Sequence, residues 1–555
     1  MNDDWTGSRE RSAFGALVVL ILAPIVAQGL WRPLGHVLGT TGSAGAITGA
    51  ALAIGGATVL VHRLRPRKAQ LLALGSGVLV AIGACAGLAL GRAGLLTLLS
   101  VAVAMAFLVR RLFPQLPASL DGLATRHKVL TALYLVVALA SLISTTRVSI
   151  FMGDPARGDQ QAVPGESFLE THSCLTAYVH ASTLSRQHVD NLYAESFWQG
   201  ADGRPARSGG ADNPYRPFLL DYYAYPPPFL LVMAPLVPLD GDYTAQRALW
   251  FGLNGLLLAV GLWIVARWLD GPGTHRVLLL APIFFASLPV LATLQVGNFQ
   301  IAVVMISILA MVAFQRERDV LGGALLAFAI LSKISPGVLG VLLLAQRRFR
   351  AAAWTAGFGV LLLILSVLVF GKNPLWSFLT YTLPRLSSGE ALAFLADTPF
   401  SIITNMAPFG LPFKLRLAGL QVDEPWGVAR QVGRVYTFVL LFVAVVAARR
   451  RPADRRDQAL VWMSLLGLAA LQSPFAPGYT LMALLWALTL LTMEVRTLRA
   501  GVALVLLWVG LAILPPWRSQ SVLVAQSLLQ STLAVGVPIW LILRAARTPR
   551  SFSPT

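Results

Sequence analysis

Long apolar runs alternate with short polar turns along almost the whole chain. Runs of roughly 17 to 25 apolar residues are long enough for a helix to cross a bilayer. They fall near 14–31, 45–62, 70–91, 94–109, 128–145, 246–266, 277–294 and 299–315, then near 352–370, 431–448, 458–473, 478–493, 500–515 and 521–543. Between them sits a tight pair, 320–332 and 335–345, each member short for a span. This pair reads as two spans or as a re-entrant hairpin. The pattern predicts an all-α polytopic membrane protein with about 14 to 16 transmembrane segments.

Only two polar stretches are long, near 146–225 and 371–430. In the first, residues Thr171 to Gln187 have helical spacing, with Leu175, Tyr178, Val179 and Leu184 near one face. Such a helix is expected to lie along the membrane surface. The apolar segment Pro226–Leu239 is too short to span as an α-helix and opens on three prolines. It is predicted to dip into the interface or to pack against the bundle. The chain therefore divides into a four-span N-terminal segment (1–127), a central segment (128–370) carrying the first loop, a second loop (371–430) and C-terminal spans (431–555).

Composition agrees with the pattern: 56% of residues are hydrophobic and only 12% charged, about half of what a soluble domain carries. The formal net charge of +19 raises a nucleic-acid reading, which needs the charge gathered on one soluble face. It is not gathered. One set of alternate turns holds 27 of the 44 basic residues and nets +17, including Arg63/Arg65/Arg67/Lys68, Arg347/Arg348/Arg350 and the Arg449–Arg456 cluster. Basic turns mark the cytoplasmic side, so the charge reports orientation. Both termini are expected in the cytoplasm, the two long loops outside, and membrane lipids as the neighbours; no nucleic-acid partner is expected. Arginine outnumbers lysine 39 to 5, which points to a GC-rich bacterial genome and an inner (plasma) membrane.

The cytoplasmic turns leave no room for a nucleotide-binding domain, and no Walker-type phosphate loop is present, which argues against an ATP-driven pump. No small-residue cleavage site follows the first apolar run, which reads as a retained span. Cys85 falls in a span and Cys174 in the first loop, so a disulfide between them is not expected. The histidines lack metal-ligand spacing apart from a weak cluster at 172–188, whose simpler reading is polar positions on a loop helix.

Few ionisable residues remain on the outer side to do chemistry. In the first loop, Asp154 and Asp159 follow the fifth span, and Glu166, Glu170 and His172 come next. A carboxylate just above the bilayer can act as general base toward a sugar hydroxyl while a lipid phosphate leaves; it can equally solvate a Gly/Pro turn. Lys333, in FAILSKISPGV, lies in an apolar stretch with Pro336 breaking the helix behind it. An ionisable group at that depth is costly and tends to face the protein interior. Its ammonium can meet a phosphate, or snorkel to headgroups. Arg385 in the second loop is a further candidate phosphate partner, with an ordinary surface role equally open. Asn298 and Gln300 sit in the Gly turn of LQVGNFQIAV, which also reads as an ordinary polar turn.

In their order along the chain these elements resemble glycosyltransferase family 87, integral membrane enzymes of the GT-C superfamily. The resemblance rests on the acidic first loop and its helix, on Asn191-Leu192-Tyr193, on Tyr225-Pro226-Pro227-Pro228 with its tail to Ala234-Pro235-Leu236, on Gly297-Asn298-Phe299-Gln300, and on the Lys333–Pro336 break with Arg347-Arg348-Phe349-Arg350 behind it. These cover roughly residues 145 to 370. The resemblance implies a GT-C-type helical bundle with 128–370 as catalytic core, a polyprenyl-phosphate sugar donor with mannose foremost, a glycan or lipid acceptor, and an active site on the outer face. It implies an acidic catalytic residue in the first loop and substrate contacts at Tyr193, Tyr225, Asn298 and Gln300. The family places its acidic residue immediately before the loop helix. Here that place reads Glu170-Thr171-His172-Ser173, so the role falls to Asp154, Glu170, Asp159 or His172, with Asp154 first. Four spans before residue 127 look like an addition to the family core.

A leaving polyprenyl phosphate is already anionic, and Lys333 or Arg385 can balance it. Metal independence and no cofactor are expected, although the superfamily includes metal-dependent members. The competing classes are a transporter or flippase of a lipid-linked sugar and a glycan polymerase or ligase. Transporters tend to carry internal repeats and broken mid-membrane helices, and no repeat is visible by eye.

Overall fold

The computed structural model describes residues 128–198, 213–269, 281–449, 454–492, 497–512 and 519–545, with isolated positions between 21 and 37 and at 452 and 495. The apolar segments at 45–62, 70–91 and 94–109, and with them most of the N-terminal extension, lie outside the described residues. Among the described residues all regular structure is helical, and the protein is an all-α polytopic membrane protein.

Four described helices are long and apolar enough to cross a membrane: Tyr243–Leu269, Phe349–Phe370, Pro425–Arg449 and Gln520–Ala545. A fifth span results if the broken pair Leu288–Val296 and Gln300–Gln315 is taken as one. The helix Phe349–Phe370 shows why such a segment needs lipid. Leu361, Ile364, Leu368 and Val369 are exposed, Leu368 by 75%, on a helix whose backbone groups bond internally as a bilayer core requires.

The chain forms two compact units. The first comprises Met1–Thr176, Ala206–Asp221 and Pro235–Asn298. In it, the helix Lys128–Gly153 packs against Tyr243–Leu269 and Ala281–Ala286. Arg247 lies fully buried between the rings of Phe151 (4.5 Å) and Phe218 (4.3 Å) and donates to the Phe151 carbonyl at 2.9 Å. The loop after the first helix is stapled down by Gln295, whose amide accepts from the Ala162 N–H (2.6 Å) and donates to the Leu169 carbonyl (2.7 Å).

The second unit comprises Ala177–Pro205, Tyr222–Ala234 and Phe299–Thr555. Here Asp319–Ser332 packs against both Gln300–Gln315 and Phe349–Phe370. The Gly322-Gly323 pair permits this. A Cβ on Gly322 would lie 2.5 Å from the Phe314 ring, and one on Gly323 would lie 2.6 Å from Trp354 Cβ. Small residues at helix contacts let backbones approach inside a membrane. The predicted hairpin is present as Asp319–Ser332 and Gly337–Ala345, broken at Lys333–Pro336.

Two expected elements differ in detail. The surface helix begins at Cys174 instead of Thr171, because Glu166 caps a separate five-residue helix, Ser167–Thr171, and His172 is extended (φ −94°, ψ 133°). Residues Pro227–Leu239 form a 3-10 helix with Pro235 and Pro238 inside it. Proline lacks the N–H that an α-helical ladder needs, which favours the tighter coil here.

Candidate functional site

Among the described residues, each unit holds a cluster of chemistry-bearing side chains, and further candidates stand outside both. In the first unit the helix start at Cys174 is held against the extended segment 219–221. The Leu219 N–H donates to the Thr171 carbonyl (2.8 Å), the Thr176 hydroxyl donates to the Leu219 carbonyl (3.0 Å), and the Asp221 N–H donates to the Thr176 hydroxyl (3.0 Å). This lacing sets the Asp221 carboxylate 3.8 Å from His172 Nε2, while Cys174 Sγ lies 3.5 Å from the same nitrogen. Phe168 stacks on the His172 ring at 4.5 Å and fixes its plane. The Asn298 amide donates to Cys174 Sγ at 3.4 Å.

The other first-loop acids are engaged differently. Asp154 Oδ1 accepts from the Ala156 N–H at 3.1 Å and so closes its own turn. Asp159 is half-exposed; its hydrogen bond from the Gln160 side chain, helped by Arg157 at 3.5 Å, holds its carboxyl below the usual range. Glu170 is exposed, with its carboxylate against Gly158. Among the described residues, His172 is brought together with the Asp221 carboxylate of a distant segment, and Asp159 with Arg147, whose guanidinium donates to the Asp159 carbonyl at 2.8 Å.

The cluster of the second unit is aromatic. Tyr178 donates from its hydroxyl to the Tyr225 hydroxyl (2.9 Å), and the Tyr193 hydroxyl donates to the Tyr225 carbonyl (2.9 Å). Asn191 closes the Asn-Leu-Tyr turn by accepting from the Tyr193 N–H (3.0 Å), and the Phe299 ring meets Phe229 edge-on at 4.9 Å. Lys333 ends its helix in extended conformation (φ −157°, ψ 118°). That break projects the ammonium over two tyrosine rings, 5.0 Å from the centre of Tyr479 and 5.9 Å from that of Tyr225. Cation–π contacts of this kind locate an ammonium.

Arg385 is bound by two carboxylates, Glu195 and, at 2.9 Å, Glu390, and by the Tyr381 hydroxyl. Burial pushes the nearby Tyr222 phenol up to about 12, so it acts as a hydrogen-bond donor at neutral pH. Gln300 is buried in this unit, whereas Asn298 belongs to the first unit beside Cys174.

Asp221, Cys174 and Tyr479 were not among the residues the sequence singled out for a role. Asp221 stands next to the Tyr-Tyr-Ala-Tyr-Pro stretch, which was a signal. Tyr479 follows a Pro-Gly turn between two apolar segments and carried none.

The model of glycosyltransferase family 87 matches residues 223–474. That match agrees with the resemblance read from the motifs, and over this segment the chain is similar to the glycosyltransferases of that family. No curated protein and no solved structure matches the chain. The matched segment contains Tyr225, Asn298, Gln300, Lys333 and Arg385; Asp154, Asp159, Glu170, His172 and Tyr193 lie before it.

Proposed function

We propose that the protein transfers a hexose, mannose in the first instance, from a polyprenyl-phosphate sugar to a glycan or lipid acceptor on the outer face of a bacterial inner membrane, with both termini in the cytoplasm. The observation that carries this reading is the Lys333 ammonium, placed by a helix break over Tyr225 and Tyr479 within the family-matched segment. In the reaction the acceptor hydroxyl oxygen attacks the anomeric carbon. The bond from that carbon to the phosphate oxygen breaks, and its electron pair stays with the polyprenyl phosphate. The phosphate gains negative charge as it leaves, and Lys333 stabilises it, with Arg385 able to assist once released from Glu195 or Glu390. This charge balance needs no metal at the leaving group, so metal independence of transfer forms part of the proposal.

The hydroxyl proton goes to a first-loop base. Asp154, Asp159 and Glu170 are each candidates, and the geometry favours His172, because Asp221 beside it stabilises the imidazolium that forms. Tyr225, Tyr193, Asn298 and Gln300 are proposed to contact the sugars, since aromatic faces and amides suit hydroxyl-rich ligands.

The test supplies purified protein with radiolabelled polyprenyl-phosphate mannose, other polyprenyl-phosphate hexoses and a panel of acceptors. Labelled product is expected, with loss of at least about 100-fold in His172→Gln, as for removal of a general base. Full activity in His172→Gln alongside an inactive Asp154→Asn or Glu170→Gln would move the base without changing the function. No transfer from any hexosyl donor, together with substrate flux across liposomes, would establish a carrier and end the transferase proposal.

A further inference from the structure

We propose that His172, Cys174 and Asp221 form a binding site for a thiophilic divalent cation of the zinc class. Two side chains from different segments converge on one nitrogen of His172: Nε2 lies 3.5 Å from Cys174 Sγ and 3.8 Å from Asp221 Oδ2. Thiolate, imidazole and carboxylate are together a zinc-type ligand set.

The spacing suits such an ion. The three ligand atoms lie within 4.8 Å of one another. In a tetrahedral zinc site, with sulfur about 2.3 Å and nitrogen or oxygen about 2.0–2.1 Å from the metal, ligand atoms stand about 3.3 to 3.6 Å apart. The sulfur–nitrogen distance already has that value, the nitrogen–oxygen distance needs to shorten by a few tenths of an ångström, and the sulfur–oxygen pair, within 4.8 Å, closes by a turn of the Asp221 side chain.

The surroundings are those of a ligand set. Phe168 stacked on the imidazole holds the ring in plane, and the Asn298 amide, donating to Sγ at 3.4 Å, stabilises a thiolate. Cys174 opens the helix Cys174–Arg186, and a helix N-terminus favours negative charge. Cys174 is buried, while His172 (21% exposed) and Asp221 (34%) leave the site open to an entering ion. On binding, the thiol proton is released. The thiolate and the carboxylate then balance the two charges of the metal, and a fourth position stays open for water. Sulfur and imidazole select zinc or cobalt over magnesium and calcium.

The existence of the site does not depend on the transferase reading. Its consequence does. Ligation withdraws from His172 the lone pair that the acceptor proton needs, which makes the cation an inhibitor of the proposed transfer.

The test titrates Co²⁺ into the metal-free full-length protein in detergent and follows absorbance. One equivalent is expected to give visible tetrahedral bands and a near-ultraviolet thiolate-to-cobalt band, with release of a proton. Cys174→Ser should remove the near-ultraviolet band and Cys85→Ser should keep it. His172→Gln and Asp221→Asn should each weaken binding at least about tenfold. Asp221→Asn changes a partly exposed carboxylate to its near-isostere, so it decides the matter should Cys174→Ser fail to fold. No thiolate band at one equivalent, a band surviving Cys174→Ser, or unchanged affinity in Asp221→Asn would overturn the site. Cobalt binding without transfer activity leaves the site standing and counts against the transferase, so the two proposals fail separately.

Discussion

Replacing Lys333 by alanine isolates the contribution of one ammonium. The side chain leaves its helix at a break, and its backbone N–H is already bonded to the Ala329 carbonyl at 3.0 Å. Truncation should therefore spare the fold. A hydrogen bond from an ammonium to an anion contributes about 1.5–3 kcal/mol. A full ion pair at about 4 Å near a protein surface, with an effective dielectric of about 20, sets a ceiling of about 4 kcal/mol. At about 1.4 kcal/mol per decade, kcat/KM should fall between about tenfold and 150-fold, and not beyond about 1,000-fold. The donor phosphodiester carries one negative charge and the departing monoester approaches two, so the attraction grows along the reaction. The loss should then appear in kcat as well as in kcat/KM. Initial rates against polyprenyl-phosphate mannose concentration measure both. Lys333→Arg should recover most of the rate, and Tyr479→Phe, which keeps the ring under the ammonium, should change little. A Lys333→Ala protein that remains monodisperse with kcat/KM within about twofold of the parent would refute the assignment and leave Lys333 as a headgroup anchor.

Three other outcomes are expected. Zn²⁺ in excess should slow transfer and a chelator should restore it, with the inhibition constant at least about tenfold weaker in Cys174→Ser. Lys414, buried with its ammonium 2.7 Å from the Ser531 hydroxyl, is pushed down to about 7 by burial. Between that value and the ordinary 10.5 the unfolded chain holds a proton that the folded one has lost. Stability should therefore rise as pH climbs from 7 toward 10, and Lys414→Met should flatten that rise in thermal unfolding followed in detergent. Gly297 has φ +70°, and a Cβ there would sit 3.2 Å from Trp250 Cδ1; Gly297→Ala should cost about 1–2 kcal/mol and lower the unfolding midpoint measurably.

Much of the architecture is visible in the sequence because bilayer thickness imposes its own ruler on apolar runs. The break at Lys333–Pro336 is visible for the same reason: a charge and a proline interrupt a run that otherwise continues. The second loop is less legible. Residues 371–430 look like plain polar chain, yet they fold into a string of short helices. Pro374, Pro384, Pro399, Pro408 and Pro412 each stand at the first or second position of one of them. Proline suits that place because the N–H it lacks has no intrahelical partner there.

The site divides along another line. Lys333 and Tyr225 are conspicuous by type and setting, and the structure brings them together. The His172–Asp221 approach is not written in either segment. It follows from the lacing of Leu219 and Asp221 to Thr171 and Thr176, which no periodicity encodes. Asp154 drew notice as an acid at the end of a span, while its hydrogen bond serves the turn it stands in.

The 3-10 coil of Pro227–Leu239 also changes how reach should be reckoned. Such a coil rises about 2.0 Å per residue, against 1.5 Å for an α-helix. Thirteen residues then extend about 26 Å instead of about 20 Å, close to the roughly 30 Å depth of a hydrocarbon core. A segment that residue counting dismisses as too short acquires nearly the length of a crossing.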